Sequence, residues 1–212
     1  MVEYGGKKQK DAEAIIKQWT FEKDTGIPYD DMKTAFLDEK ISESEAIKYR
    51  VEYGGAKQKD AEKTVSLWKF EAENTWDYEN RKSLYLDGEI SAATLKKALI
   101  EFGDYDPEDA DLQVKAYDWE AEGYENVSTA AVKNYSEYCA AANVPKDIYM
   151  HIRKFANSTE NDVVNGEKVP YSAVKKIMRE INSQTGLTSA QKTAIARSIG
   201  WKDSTIKKYK LW

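Results

Sequence analysis

The sequence predicts an all-α protein, built as an array of three-helix repeats with a period of 49 residues and a small basic three-helix C-terminal domain. The stretch VEYGGKKQKDAE at residues 2–13 returns as VEYGGAKQKDAE at residues 51–62, and the two 49-residue segments that begin there share 21 identities. Apolar residues recur at helical spacing in each copy. The 4 prolines and 11 glycines in 212 residues are few for a protein with many β-turns.

The first helix of each repeat carries an apolar stripe. Ala12, Ile16 and Trp19 lie at offsets of 0, 4 and 7, so they share one side of a helix that runs from about Gln9 to Lys23. The stripe recurs in the later copies as Ala61, Val65 and Trp68, and as Ala110, Val114 and Tyr117. A second aromatic residue lies off the stripe and is expected to reach a neighbouring helix or repeat; it is Phe21, Phe70 or Trp119.

Two shorter helices complete each repeat. In copy one, the second helix starts near Tyr29, after the loop TGIPY. The third follows Ser42, which forms a capping-box pattern with Glu45, and it ends at VEYGG, where Gly54 is expected to adopt a left-handed conformation. Such repeats stack so that each unit covers the apolar face of its neighbour. In copy one VEYGG follows Met1 directly, so we expect the chain to be the C-terminal part of a longer array or a descendant of one.

These patterns predict five segments. Repeat 1, incomplete at its N-terminus, covers residues 1–50, repeat 2 covers 51–99, and a divergent repeat 3 covers 100–155. The polar segment 156–169 is predicted to be a linker, and 170–212 a C-terminal three-helix domain.

Charge divides the chain into two regions. Residues 1–162 contain 22 basic and 34 acidic residues, a net charge of −12, whereas residues 163–212 contain 10 and 3, a net charge of +7. Only the basic region is therefore a candidate for binding nucleic acid. No run of about 18 apolar residues occurs, so we expect no membrane span and no membrane partner.

The basic region resembles the helix-turn-helix of DNA-binding regulators. A capping-box pattern at Thr188 and Gln191 opens the first helix of QKTAIARSIGWKDSTIKKYK. The resemblance makes Ala196 the small residue at the helix crossing, Gly200 the turn and Ile206 the buried anchor. It implies DNA contacts from Lys202, Ser204, Thr205, Lys207, Lys208 and Lys210. The alternative is a three-helix cap whose lysines face solvent.

Carboxylates are plentiful, but no sequence motif indicates catalysis or metal binding. Cys139 and His151 are the only cysteine and histidine, which excludes disulfides within the chain and zinc sites built from several such ligands. We expect a buried thiol and an imidazole on a helix surface. The stretch YLDGEIS resembles the middle of a calcium loop but lacks the carboxylates that such a loop requires. The sequence therefore predicts no catalytic residue, no metal site and no cofactor.

Three aromatic residues are candidate contacts for a protein partner. Trp76 and Tyr78 lie in the loop of copy two, and Tyr124 follows the first helix of copy three. The alternative is that they pack against the next repeat, as large aromatic residues at helix junctions usually do. Self-association through an exposed N-terminal face is a further expectation.

Most of the chain resembles the C-terminal helical-repeat region of large virion-associated or polyvalent proteins of bacteriophages and mobile elements of Gram-positive gut bacteria. The segments that carry the resemblance are YLDGEISAATLKKALIEFGD, ISESEAIKYRVEYGGAKQKDAEKTVSLWKF and INSQTGLTSAQKTAIARSIGWKDSTIKKYKLW. It implies a non-enzymatic structural or protein-interaction module that acts on another phage or host protein, in the host cytoplasm or the virion. Two alternatives remain: a DNA-binding regulator, and an inhibitor of a host defence nuclease.

Overall fold

A computed structural model describes residues 9–159 and 171–209. Throughout these ranges the regular secondary structure is helical and contains no strand, which confirms the predicted all-α class. None of the described helices is long and apolar enough to cross a bilayer. The chain divides into two compact units, Met1–Asp104 and Tyr105–Trp212.

The described part of unit 1 contains six α-helices. They are α1 (Gln9–Thr25), α2 (Met32–Leu37), α3 (Glu43–Glu52), α4 (Gln58–Asn74), α5 (Arg81–Leu86) and α6 (Ala92–Gly103). Short 3-10 turns at Tyr29–Asp31 and Tyr78–Asn80 lead into α2 and α5. Helices α4, α5 and α6 begin 49 residues after α1, α2 and α3, respectively.

Local sequence determines where α3 begins and ends. The predicted capping box is present, because the Ser42 N–H donates to Glu45 Oε2 (2.8 Å) and the Glu45 N–H donates to Ser42 Oγ (3.3 Å). The predicted conformation of Gly54 is wrong: the left-handed residue is Gly55, with a φ of 68°. Gly54 is instead required by space, since a Cβ there would collide with the Tyr29 hydroxyl and the Arg50 carbonyl oxygen.

A core of unit 1 lies where α4 packs on α2 and α3. The Trp68 ring of α4 lies 6.2 Å from the Phe36 ring, and the Arg50 guanidinium stacks over Trp68 at 5.3 Å. The buried residues of this core are Phe21, Met32, Ala35, Ile41, Ala46, Val65 and Trp68.

The second aromatic residue of copies one and two packs against aromatic rings on both sides of the predicted boundary with the next repeat. The Phe21 ring lies 5.7 Å from that of Tyr29 and 5.5 Å from that of Tyr53, just after α3. In copy two, Phe70 lies 5.0 Å from Phe102, which is the counterpart of Tyr53. The off-stripe aromatic therefore reaches the end of the third helix, at the predicted boundary with the next repeat.

The described part of unit 2 also contains six α-helices. They are α7 (Pro107–Ala121), α8 (Thr129–Asn134), α9 (Lys146–Ser158), α10 (Tyr171–Ser183), α11 (Ser189–Ser198) and α12 (Asp203–Tyr209). Helix α8 continues through a π-helical turn, Tyr135–Cys139, and a 3-10 turn, Ala140–Ala142. Helix α7 begins 49 residues after α4, but α8 and α9 do not keep that spacing.

One core joins α7 to α11, and Tyr149 lies within it. Tyr149 is fully buried, and its hydroxyl donates to the Ala131 carbonyl oxygen at 2.8 Å. Burial raises the pKa of Tyr149 to about 12. The cluster also contains Val174, Ile177 and Ile181 of α10, and Ala194, Ile195 and Ala196 of α11.

The boundary predicted between repeat 3 and a C-terminal domain falls inside this unit. We predicted a linker from residue 156, but α9 continues to Ser158 because Ala156, at 2% exposure, packs in the core. Residues 160–169 of that linker lie outside the described residues. The described helices α10 and α11 pack into the same core as α7 and α9.

Candidate functional site

An apolar face of α1 is open to solvent. We call Ala12, Ile16 and Trp19 the α1 face, and their counterparts Ala61, Val65 and Trp68 the α4 face. Ile16 is 58% exposed and Trp19 is 65% exposed. On the α4 face the counterparts are 0% and 9% exposed. The same stripe is therefore a surface in one copy and part of a core in the next.

Helices α2 and α3 cover the α4 face through apolar and charged contacts. Phe36 and Arg50 lie against Trp68, as described above. At the edge, Lys33 Nζ lies 2.6 Å from Glu71 Oε2, whose side chain is only 10% exposed. Lys69 Nζ lies 3.0 Å from Glu43 Oε2 on the opposite edge. Inside the chain, the α4 face is therefore covered by a pair of helices that supplies apolar contacts and two ion pairs.

Glu22 lies at the edge of the α1 face, in the place that Glu71 occupies on the α4 face. It makes one contact fewer than Glu71. The Tyr29 N–H donates to Glu22 Oε1 at 3.2 Å, as the Tyr78 N–H donates to Glu71 Oε1 at 2.9 Å. The second oxygen of Glu71 binds Lys33. No lysine or arginine within residues 9–159 and 171–209 is paired with Glu22. The α1 face thus presents an acceptor oxygen where the α4 face has an ion pair.

Covering the α1 face has a sizeable driving force. The exposed parts of Ile16 and Trp19 together amount to roughly 250 Å² of apolar surface, given the size of these side chains. At about 25 cal/mol per Å², its removal from water contributes roughly 6 kcal/mol before the costs of association. Tryptophan is also the residue type most enriched among those that dominate binding energy at protein interfaces.

The three predicted partner contacts are half-buried within their own units. Trp76 packs edge-on against Phe70, with ring centroids 5.3 Å apart. Tyr78 lies 6.3 Å from Phe102, and Tyr124 lies 6.1 Å from Trp119. The contacts of Trp76 and Tyr124 lie within their own predicted repeats rather than against the next one. A role for the three residues in binding a partner stays a prediction.

The structure places most of the predicted DNA contacts on the surface of α12 and the turn before it. Lys202, Ser204, Lys207 and Lys208 are exposed and Thr205 is half-buried, whereas Lys210 lies outside the described residues. Ala196 is fully buried, Gly200 has a φ of 93°, and Ile206 packs against the core. The Thr188–Gln191 capping box predicted at the start of α11 is present.

An ion pair lies at the start of α12. Arg197 Nε donates to Asp203 Oδ1 at 2.8 Å, and this hydrogen bond lowers the pKa of Asp203. The carboxylate is therefore charged at neutral pH, at the helix terminus that would approach a phosphate in the predicted DNA complex.

Cys139 and His151 make separate interactions. Cys139 is fully buried, and burial raises the pKa of its thiol to about 11, so little nucleophilic thiolate forms at neutral pH. His151 lies on the exposed side of α9, with Nε2 2.7 Å from Glu180 Oε1. Among the described residues, no group of three or more His, Cys, Asp or Glu side chains is placed to hold a metal ion.

No protein-family model, no curated protein and no solved structure matches this chain. The α1 face is consequently identified from the geometry of the described residues and from its counterpart in copy two.

Proposed function

We propose that this protein is a non-enzymatic helical-repeat module with a period of 49 residues, and that it binds another protein through the α1 face. One observation carries the proposal: Trp19 is 65% exposed, while Trp68, at the same position of the next copy, is 9% exposed. The equal spacing of the helix starts, from α1 to α4 and from α4 to α7, supports the repeat.

The physical basis is that helical repeats bury their apolar stripes against neighbours rather than inside themselves. Trp19 makes no contribution of this kind in the described structure, because most of its surface faces solvent. The resemblance to phage proteins suggests that the partner is another phage or host protein, in the host cytoplasm or the virion.

A photo-crosslinking amino acid at position 19 tests the proposal. In cells that naturally contain the protein, we expect a discrete crosslinked adduct from position 19. Position 17 is a matched control, because Lys17 is exposed on the same helix but lies about 200° around its axis. Equal crosslinking at positions 17 and 19, or none at either, would contradict a docking role for the α1 face.

DNA binding through α11 and α12 is a second candidate function. It is favoured by the buried Ala196, the left-handed Gly200 and the exposed Lys207 and Lys208, which are the features that the resemblance to a helix-turn-helix predicts. The alternative is a three-helix cap whose lysines face solvent.

Salt dependence separates these alternatives. If α12 binds duplex DNA, the double substitution Lys207→Glu and Lys208→Glu is expected to abolish binding and to remove about 2 units of the slope of log K against log salt. Lys175→Glu with Lys176→Glu makes the same charge change on the exposed side of α10 and serves as control. Fluorescence anisotropy measures both. Retention at low salt no better than that of a neutral protein excludes this function.

A further inference from the structure

We propose that the α1 face binds a helical-repeat unit of the same kind, carried by a partner protein. The unit is a two-helix segment that offers an aromatic residue, an arginine and a lysine in the places of Phe36, Arg50 and Lys33. This inference rests on the proposed docking role of the α1 face and adds the chemistry of the partner.

The α1 face and the α4 face carry nearly the same apolar residues. Helices α1 and α4 are both 17 residues long, and alanine and tryptophan occupy the same positions of their stripes. The remaining position changes only from isoleucine to valine. A segment that fits the α4 face therefore meets the same apolar stripe on the α1 face, with one methylene more.

The tryptophan of the α4 face is covered by an aromatic ring and a cation. Trp68 is covered by the Phe36 ring at 6.2 Å and by the Arg50 guanidinium at 5.3 Å. Arginine stacks favourably on indole because its cation is attracted to the face of the ring. An exposed Trp19 accepts the same pair of side chains, so we assign an aromatic residue and an arginine to the partner.

The carboxylate at the edge of each face indicates a lysine in the partner. Glu71 binds Lys33 through the oxygen that its hydrogen bond to the Tyr78 N–H leaves available, and Glu22 holds the equivalent hydrogen bond to Tyr29. A lysine of the partner can pair with Glu22 in the same way. On the opposite edge, Thr20 replaces Lys69, so the partner needs no counterpart of Glu43.

A second copy of this chain is a poorer occupant. Its α2 and α3 already cover its own α4, where Trp68 is 9% exposed, so they cannot cover the α1 face of another copy without leaving α4. A partner protein with an uncovered pair of such helices meets no such competition.

The experiment extends the full chain by one further copy of residues 2–50, placed directly before residue 2 with its own tryptophan changed to phenylalanine. Native Trp19 can then be followed by mass. Hydroxyl-radical oxidation of Trp19 is expected to slow about sevenfold, to the rate of Trp68, as the exposed fractions of 65% and 9% indicate. Unchanged oxidation of Trp19 in the extended chain overturns the proposal.

A matched control carries Phe36→Ser and Arg50→Ser in the added copy only. Protection of Trp19 is expected to be lost, while oxidation of Trp68 stays slow, because the native α2 and α3 are unaltered. Equal protection with and without these two side chains overturns the assignment of the aromatic residue and the arginine. Sedimentation of the unextended chain is expected to show a monomer. A dimer that disappears with Trp19→Ser would instead identify a second copy of this chain as the occupant of the α1 face, and would overturn the proposal.

The crosslinked adduct at position 19 provides a readout on the natural partner. Its partner peptide is expected to come from a helical protein with a lysine, an aromatic residue three positions later and an arginine about 14 positions after that, as at Lys33, Phe36 and Arg50. A specific adduct whose partner lacks this pattern overturns the inference and leaves the docking role standing. If no adduct forms and Trp19 is not protected in the extended chain, the docking role and the inference about the partner are both overturned.

Discussion

Replacing Trp68 by alanine is expected to lower the free energy of unfolding by about 3–5 kcal/mol. The same replacement of Trp19 is expected to change it by less than about 0.5 kcal/mol. The two residues occupy the same position of the repeat, but Trp68 is packed under Phe36 and Arg50, whereas Trp19 lies mostly in solvent. Removing Trp68 leaves a cavity and an arginine without its stacking partner, and removing Trp19 leaves neither.

Hydrogen exchange under increasing urea measures this difference, because the stability of α4 can then be followed separately from that of unit 2. The exchange of peptides from α4 reports on the core that contains Val65 and Ala46. Trp19→Ala is the matched control, since it removes the same side chain from the same place in the repeat. Similar losses of stability from both substitutions would mean that the α1 face is also packed, contrary to the structure.

Ile195→Ala is expected to destabilise unit 2 by about 2–5 kcal/mol. Ile195 in α11 is 0% exposed and belongs to the cluster that also contains Trp119 of α7 and Tyr149 of α9. Because these residues form one core, α7, α9 and α10 should lose protection together with α11. The substitution therefore tests whether the C-terminal helices depend on the rest of the unit.

Hydrogen exchange of peptides from α7, α10 and α11 reports the opening free energies. In Ile195→Ala all three should fall by the same amount. Ala190→Gly is the control: Ala190 is exposed on α11, and the cost of about 1 kcal/mol comes from helix propensity rather than from a cavity. Loss of protection confined to α11 and α12, with α7 unaffected, would show a C-terminal domain with a core of its own.

Local signals predicted individual helices well because the interactions behind them are short-range. The capping boxes at Ser42 and Thr188 join residues three positions apart, and both are present. The left-handed residue after α3 was placed one position too early, at Gly54, because two adjacent glycines offer the same conformational freedom. A side chain at Gly54 is excluded by the Arg50 carbonyl oxygen and by the Tyr29 hydroxyl, and the contact with Tyr29, distant in sequence, gives no local signal.

The division of unit 2 into cores could not be inferred from local signals. A polar stretch rich in Asn and Ser predicted a boundary, yet Ile195 and Tyr149 on either side of it are buried in one cluster. Burial of this kind depends on which helices meet in space. The sequence of each helix shows only that it has an apolar side.

The candidate site was predictable in part. The repeat identified the stripe, but the sequence alone did not show that Trp19 is exposed in copy one while Trp68 is buried in copy two. The role of Glu22 and Glu71 at the edges of the two faces was not predicted, although glutamate occupies this position in both copies. Arg50 carried no such signal, because its counterpart in copy two is Leu99. Its stacking on Trp68 requires the packing of α3 against α4, which the sequence alone does not specify.

The most direct test of an open docking face on α1 is hydroxyl-radical footprinting of the unmodified chain, resolved by residue. The exposed fractions of 65% for Trp19 and 9% for Trp68 predict that Trp19 is oxidised about seven times faster than Trp68. Equal rates for the two tryptophans, both slow, would show that the α1 face is already covered and would contradict its role as the docking surface.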